Sequence, residues 1–161
     1  MSEPNEQRAT FFTLVDDVCQ ELGYPPRSSR PEADEVVAME MELDHYPFAV
    51  VHSLLSSPHR ILIECRFGPL PAADQLEVMQ RLLQLNYALA DAGECIFCIE
   101  PDTGAVIFTK TCELDTFTGR DLLGQMTQMS WQAAQWNQHR FLDNPSEPQS
   151  SDFPADFGAL A

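Results

Sequence analysis

The sequence predicts an α+β fold, with helices packed on one face of a twisted antiparallel sheet in the order α-βββ-α-ββ-α. Three observations carry this. Strand-like runs at 36–43, 47–55 and 60–67 are joined by turns too short for crossovers. A long helical segment with two apolar stripes follows. A second pair of strand-like runs then brackets Pro101-Asp102-Thr103-Gly104, ahead of a last amphipathic helix.

Taken in order, residues 7–22 place Phe11, Val15, Val18 and Leu22 at helical spacing, with Phe12 and Cys19 alongside. Gly23 supplies a stop and Pro25-Pro26 forbid continuation, so the stretch to Pro31, with Arg27, Ser28, Ser29 and Arg30, reads as a loop. In the first strand Val37, Met39, Met41 and Leu43 alternate with Val36, Ala38, Glu40 and Glu42, which gives one wet face. Asp44-His45 turns tightly into the second strand, and Ser56-Ser57-Pro58 into the third. There Ile61, Ile63, Cys65 and Phe67 oppose Arg60, Leu62, Glu64 and Arg66.

Pro71 marks the approach to the second helix, Asp74 falls in its first turn, where an acid complements the helix dipole, and Gly93 is its expected stop after Ala92. Leu76, Met79, Leu83, Tyr87 and Ala90 form one stripe; Leu82, Leu85 and Leu89 form another. The apolar arc is wider than a one-sided surface helix needs. The last helix, from Thr118 to about His139, carries Leu122, Met126, Met129, Ala133 and Trp136 on one stripe. The domain is expected to cover residues 1–138. Residues 139–161, rich in Pro, Ser, Asn and acid, read as a disordered acidic tail, with Phe153, Phe157 and Leu160 leaving open a role as a short docking peptide.

The chain has 161 residues, 44% of them hydrophobic, enough for one domain with a real core. Its 25 acids against 9 Lys and Arg give a formal net charge of −16. Such a surface repels nucleic acid and anionic membranes and attracts basic or neutral polypeptides. No apolar run reaches the roughly 18–20 residues of a membrane span, and the N-terminus lacks a secretory pattern, so a cytoplasmic location without membrane insertion is expected.

The sequence offers little chemistry. The five cysteines sit among apolar residues, as small buried hydrophobes do. Cys95-x-x-Cys98 could be read as a redox or zinc pair. On a strand, however, an offset of three sends the two side chains to opposite faces, and no second Cys or His pair completes a metal site. His45, His52, His59 and His139 are scattered, and His52 on an apolar strand face fits a satisfied core histidine. Asp16-Asp17 and Glu40/Glu42 read as solvated faces rather than an acid–base pair. Phosphate loops and nucleophile elbows are absent from the sequence. The expectation is a protein that is not an enzyme and needs no cofactor or metal. A thiol-dependent enzyme using Cys95 and Cys98 is the reading from the opposite class.

The second helical stripe needs cover from a neighbouring element or from another chain. About 800 Å² per subunit is typical of a stable interface.

The element order, the run LLQLNYALADAGECIFCIEPDTGAVIF and the ending LLGQMTQMSWQAAQWN together resemble the Tir-chaperone family, the class I chaperones of bacterial type III secretion. The resemblance covers roughly residues 8–137, and it rests on the Leu85-Asn86 step, the Asp102-Thr103-Gly104 hairpin and the helix ending near Trp136. It implies a small, acidic, cytoplasmic homodimer without enzymatic activity and with a role in virulence. Such a chaperone binds the N-terminal segment of a secreted effector and keeps it export-competent until the secretion ATPase takes over. The resemblance places the dimer interface on Leu82, Leu85, Asn86 and Leu89. It places effector binding on Phe11, Phe12 and Val15 with Phe48, Val50, Ile61 and Ile63 of the first three strands. The alternative is a non-secretory adaptor or regulator of the same fold that binds a folded partner.

Overall fold

The computed structural model describes residues 4–25, 35–90 and 94–142. In chain order the elements are α1 (Pro4–Glu21), β1 (Val36–Leu43), β2 (Tyr46–Ser53), β3 (Ser57–Pro69), α2 (Gln75–Leu89), β4 (Cys95–Ile99), β5 (Ala105–Glu113) and α3 (Gly119–His139). The α-βββ-α-ββ-α order is therefore as the sequence predicts. The loop expected around Arg27–Pro31, the Gly93 stop and almost all of the acidic tail lie outside the described residues.

The strands form one antiparallel sheet in the order β1-β2-β3-β5-β4. The β1–β2 hairpin closes through Asp44 and His45, both at positive φ (52° and 69°). That is the backbone of a two-residue turn whose twist matches its strands. The return from β3 runs through α2 to β4, and β5 then inserts between β3 and β4. Register puts Met39, Val50, Ile63 and Lys110 in one row across the sheet, and Met41, Phe48, Cys65, Phe108 and Phe97 in the next. Both rows face the helices and are buried.

Above this face, α1 contributes Phe11, Phe12, Val15 and Val18, and α3 contributes Leu122, Met126, Met129, Ala133 and Trp136, the stripe the sequence marks out. Thr118 caps α3 with a reciprocal box: its hydroxyl accepts from the Asp121 N–H, and the Asp121 carboxylate accepts from the Thr118 N–H. The Thr118 hydroxyl also donates to the Asp121 carboxylate at 2.6 Å, and this bond, with the one from the Thr118 N–H, holds the exposed carboxyl below the usual carboxylate range.

Two boundaries differ from the sequence reading. Asp74 is not in the first turn of α2 but is its N-cap, at φ 58° and without a side-chain capping bond. Phe141, assigned to the tail, belongs to the core: its ring packs against Phe67, Phe97 and Trp136, and Arg81 Nε donates to its carbonyl at 2.9 Å. An aromatic two residues past α3 has an apolar pocket within reach, which composition alone does not reveal.

Candidate partner-binding surfaces

The position of α2 is set by a polar residue. Asn86 projects onto the outer edge of β4, where its Nδ2 donates to the Phe97 carbonyl (2.9 Å) and its Oδ1 accepts from the Phe97 N–H (2.7 Å). An edge strand presents unpaired backbone groups that must be met somehow, and here one side-chain amide meets a donor and an acceptor together. With Asn86 fixed on β4, Leu82, Leu85 and Leu89 on the same side of α2 are buried in the chain's own core, at 4%, 0% and 5% exposure. The proposed dimer residues therefore face inward. What stands exposed is the stripe that the sequence would have left for the core: Leu76 (80%), Met79 (38%), Leu83 (68%) and Tyr87 (84%). Both stripes are apolar; the all-leucine stripe of Leu82, Leu85 and Leu89 is the one the core takes, and the stripe with Tyr87 stays outside.

The candidate effector-binding residues Phe11, Phe12, Val15, Phe48, Val50, Ile61 and Ile63 are brought together, but as floor and ceiling of one sealed layer. None is more than 2% exposed. They pack α1 on the sheet and offer a partner no surface in this state. The reason is the strand alternation itself: Phe48, Val50, Ile61 and Ile63 fall on the helix-covered face, while Val36, Ala38, Ala49, Val51 and Leu62 alternate onto the other.

The opposite face of the sheet is open. Glu40, Glu42, Ala49, Glu64, Arg66, Glu100 and Ile107 line a cleft of about 560 Å³ on it, with Tyr24 at its rim. Among the described lining residues the one guanidinium, Arg66, is tied to Glu100 at 2.9 Å, and Glu40, Glu42 and Glu64 add three further carboxylates. The alternation of β1 marks this face as wet; that Tyr24 joins the cleft's lining is something no periodicity shows.

Cys95 is buried and Cys98 exposed, on opposite faces of β4 as an offset of three requires. Burial pushes both thiols up, with nearby Glu64 and Glu100 adding to the effect at Cys98. Thiols held protonated are poor nucleophiles. His52 is fully buried, stacked on Phe11 with centroids 5.1 Å apart, and Nε2 lies 2.9 Å from the Pro58 carbonyl. It is a core histidine, as its strand position suggests, but only half satisfied: Nδ1 is buried without a hydrogen-bond partner among the described residues. Among the described residues no cluster of His, Cys, Asp and Glu could hold a metal ion, and no helix is long and apolar enough to cross a membrane.

The sequence model of the Tir chaperone protein (CesT) family matches residues 31–137, two thirds of the chain. The chain belongs to the Tir chaperone family. Solved structures agree on the fold that goes with the family. A chain of the ExsC–ExsE complex superposes with a TM-score of 0.65 at 16% identity, covering 86% of this chain and 97% of that one. A chain of the HopA1–SchA chaperone–effector complex gives 0.56 at 19% identity, covering 80% and 94%. The Yersinia pestis type III secretion chaperone SycH, solved with a fragment of YscM2, gives 0.57 at 15% identity, covering 77% and 98%. No curated protein matches the chain by sequence. The Tir-chaperone match begins after α1, yet α1 is integral to this member's core.

Proposed function

We propose that this Tir-chaperone family member is a cytoplasmic homodimer that binds the N-terminal segment of a secreted effector and holds it extended for export. The observation that carries the reading is the pairing of family membership with two surfaces that the described residues leave uncovered. One is the apolar stripe Leu76, Met79, Leu83 and Tyr87 on α2; the other is the open outer face and β1 edge of the sheet.

The α2 stripe supports a two-fold interface, because exposed side chains at i, i+3, i+7 and i+11 present one self-complementary ridge. Leu82, Leu85 and Leu89 brace that ridge from within, and Asn86 fixes its direction. An extended segment can use the sheet edge through backbone hydrogen bonds, which give affinity without demanding a folded partner. The acidic surface speeds encounter with basic segments. Holding a chain open in this way calls for no catalytic group and no nucleotide.

The test is a pull-down from the native bacterium with mass spectrometry of the captured proteins, run beside light scattering of the purified chain. A secreted protein bound through its N-terminal region, at one effector per two chaperones, is expected. A monomer at micromolar concentration would remove the dimer from the reading, and capture only of folded, non-secreted partners would favour the adaptor alternative.

A further inference from the structure

The edge of β1 is occupied at one point by a side chain from α1's exit. α1 ends in a paired C-terminal turn: Gly23, at φ 74°, donates its N–H to Gln20, and the Tyr24 N–H reaches back to the Cys19 carbonyl at 2.9 Å. This turn fixes where Tyr24 starts. Its hydroxyl then lies against Glu42 of β1, donating to the Glu42 carbonyl and accepting from the Glu42 N–H, both at 3.1 Å. These are the two bonds that a neighbouring strand would make to that residue.

β1 pairs only with β2 among the described residues. Since Glu42 turns its backbone outward, alternation puts the N–H and C=O of Ala38 and Glu40 on the same open edge. The other edge of the sheet differs: there Asn86 is part of α2 and anchored by the core around it. Tyr24 is 40% exposed, and its hydroxyl makes both of its hydrogen bonds to β1. The two edges therefore differ in what carries the capping side chain: a helix packed on the core for Asn86, the exit of α1 for Tyr24.

We propose that Tyr24 is a removable stopper, displaced when an extended segment adds to β1, and that the segment is apolar on one face and basic on the other. This rests on the reading of the chain as a holder of extended segments and names the edge, the gate and the side-chain pattern. A strand added to β1 places alternate side chains beside Val37, Met39 and Met41, the buried apolar row. The others lie beside Val36, Ala38, Glu40 and Glu42, next to the cleft that Glu64 also lines. Lysine or arginine at those outer positions meets carboxylates; aspartate or glutamate meets like charge, which is destabilising across adjacent strands.

The experiment uses the full chain and synthetic peptides in which Val alternates with Lys, with Val alternating with Glu as control, followed by backbone amide shifts and hydrogen exchange. The Val–Lys peptide is expected to protect Ala38 and Glu40 and to release Tyr24, and the Val–Glu peptide to bind at least tenfold more weakly. Tyr24→Phe keeps the ring and removes both bonds, so the Glu42 amide should exchange faster in the free protein and the Val–Lys peptide should bind about three- to tenfold tighter. Glu40→Lys with Glu42→Lys, both at exposed positions, should reverse the peptide preference.

Equal Glu42 exchange and equal affinity in Tyr24→Phe would overturn the stopper. Equal binding of the two peptides, or protection of β1 by a second copy of the chain without peptide, would overturn the occupant. If a secreted effector is captured with the same affinity by wild type and Tyr24→Phe, this inference fails while the chaperone reading stands; if no secreted protein is captured, that reading fails first.

Discussion

The side-chain amide of Asn86 makes both hydrogen bonds to Phe97 that an additional strand would make, and so closes the β4 edge from within the chain. This single contact sets the rotation of α2 about its axis. It thereby decides which apolar stripe enters the core and which meets solvent. Asn86→Ala leaves one backbone donor and one acceptor without their partner, at a cost of about 1–3 kcal/mol in a partly buried site. Asn86→Asp should do no better than Ala, because a carboxylate accepts from the Phe97 N–H but repels the Phe97 carbonyl. Urea denaturation of the two variants measures this, and an unchanged midpoint in either would contradict the assigned role.

Charge placed on the two stripes of α2 should separate folding from association. Leu83→Glu and Tyr87→Glu sit at 68% and 84% exposure, so each leaves the circular dichroism spectrum intact while the double variant halves the mass seen by light scattering. Leu82→Glu and Leu89→Glu bury a carboxylate in the core. They should unfold the chain or cost on the order of 4 kcal/mol. A folded monomer from the Leu82 and Leu89 changes, with the Leu83 and Tyr87 changes leaving the mass unaltered, would reverse the assignment.

Much of this fold is legible in the sequence because local signals agree with one another. The period-two run at 37–43 and the α3 stripe from Leu122 to Trp136 each have one strongly apolar face, and the structure buries each of those faces. The candidate site was less legible, for a definite reason. Resemblance marks Leu85-Asn86 as special, but only coordinates show that Asn86 reaches a strand edge and draws Leu82, Leu85 and Leu89 inward with it. Resemblance places effector binding on Phe11 and Ile63, but apolar residues at regular spacing are also what a core requires. Tyr24 carries no periodic signal; it matters through a turn at Gly23 and a hydroxyl position, both three-dimensional facts.

Stability should fall on mild acidification through His52. Burial, outweighing the hydrogen bond to Pro58, and the nearby Arg8 charge lower its pKa from 6.5. The unfolded chain therefore takes up a proton that the folded chain refuses. The folded state keeps its full stability above about pH 6.5, the ordinary histidine value, and loses it as pH drops from there through the lowered folded value. Urea midpoints between pH 7.5 and 5 should decline. The same series in His52→Phe, which retains the stack on Phe11, should be flatter over that window. Parallel slopes in the two proteins would exclude His52 as the source.

The junction of α1 and α3 depends on Gly119 for a reason of space rather than backbone freedom. A Cβ built there would lie 2.6 Å from the Asp17 Cβ, closer than two carbons can approach, and neither atom is the tip of a flexible chain. Gly119→Ala must push the N-terminus of α3 away from α1, disturbing the layer of Phe11, Val15 and Leu122 beneath. Overpacking of this kind costs about 1–3 kcal/mol. Asp17→Ala keeps the offending Cβ and should not rescue the variant. Asp17→Gly removes it, so Gly119→Ala with Asp17→Gly should be more stable than the sum of the separate changes predicts. The glycine in α1 carries its own cost of about 1 kcal/mol, which is why the coupling in a double-mutant cycle, not the absolute midpoint, is the measurement that decides. Additive effects would mean that the two helices yield freely at this contact and that Gly119 is not what sets their approach.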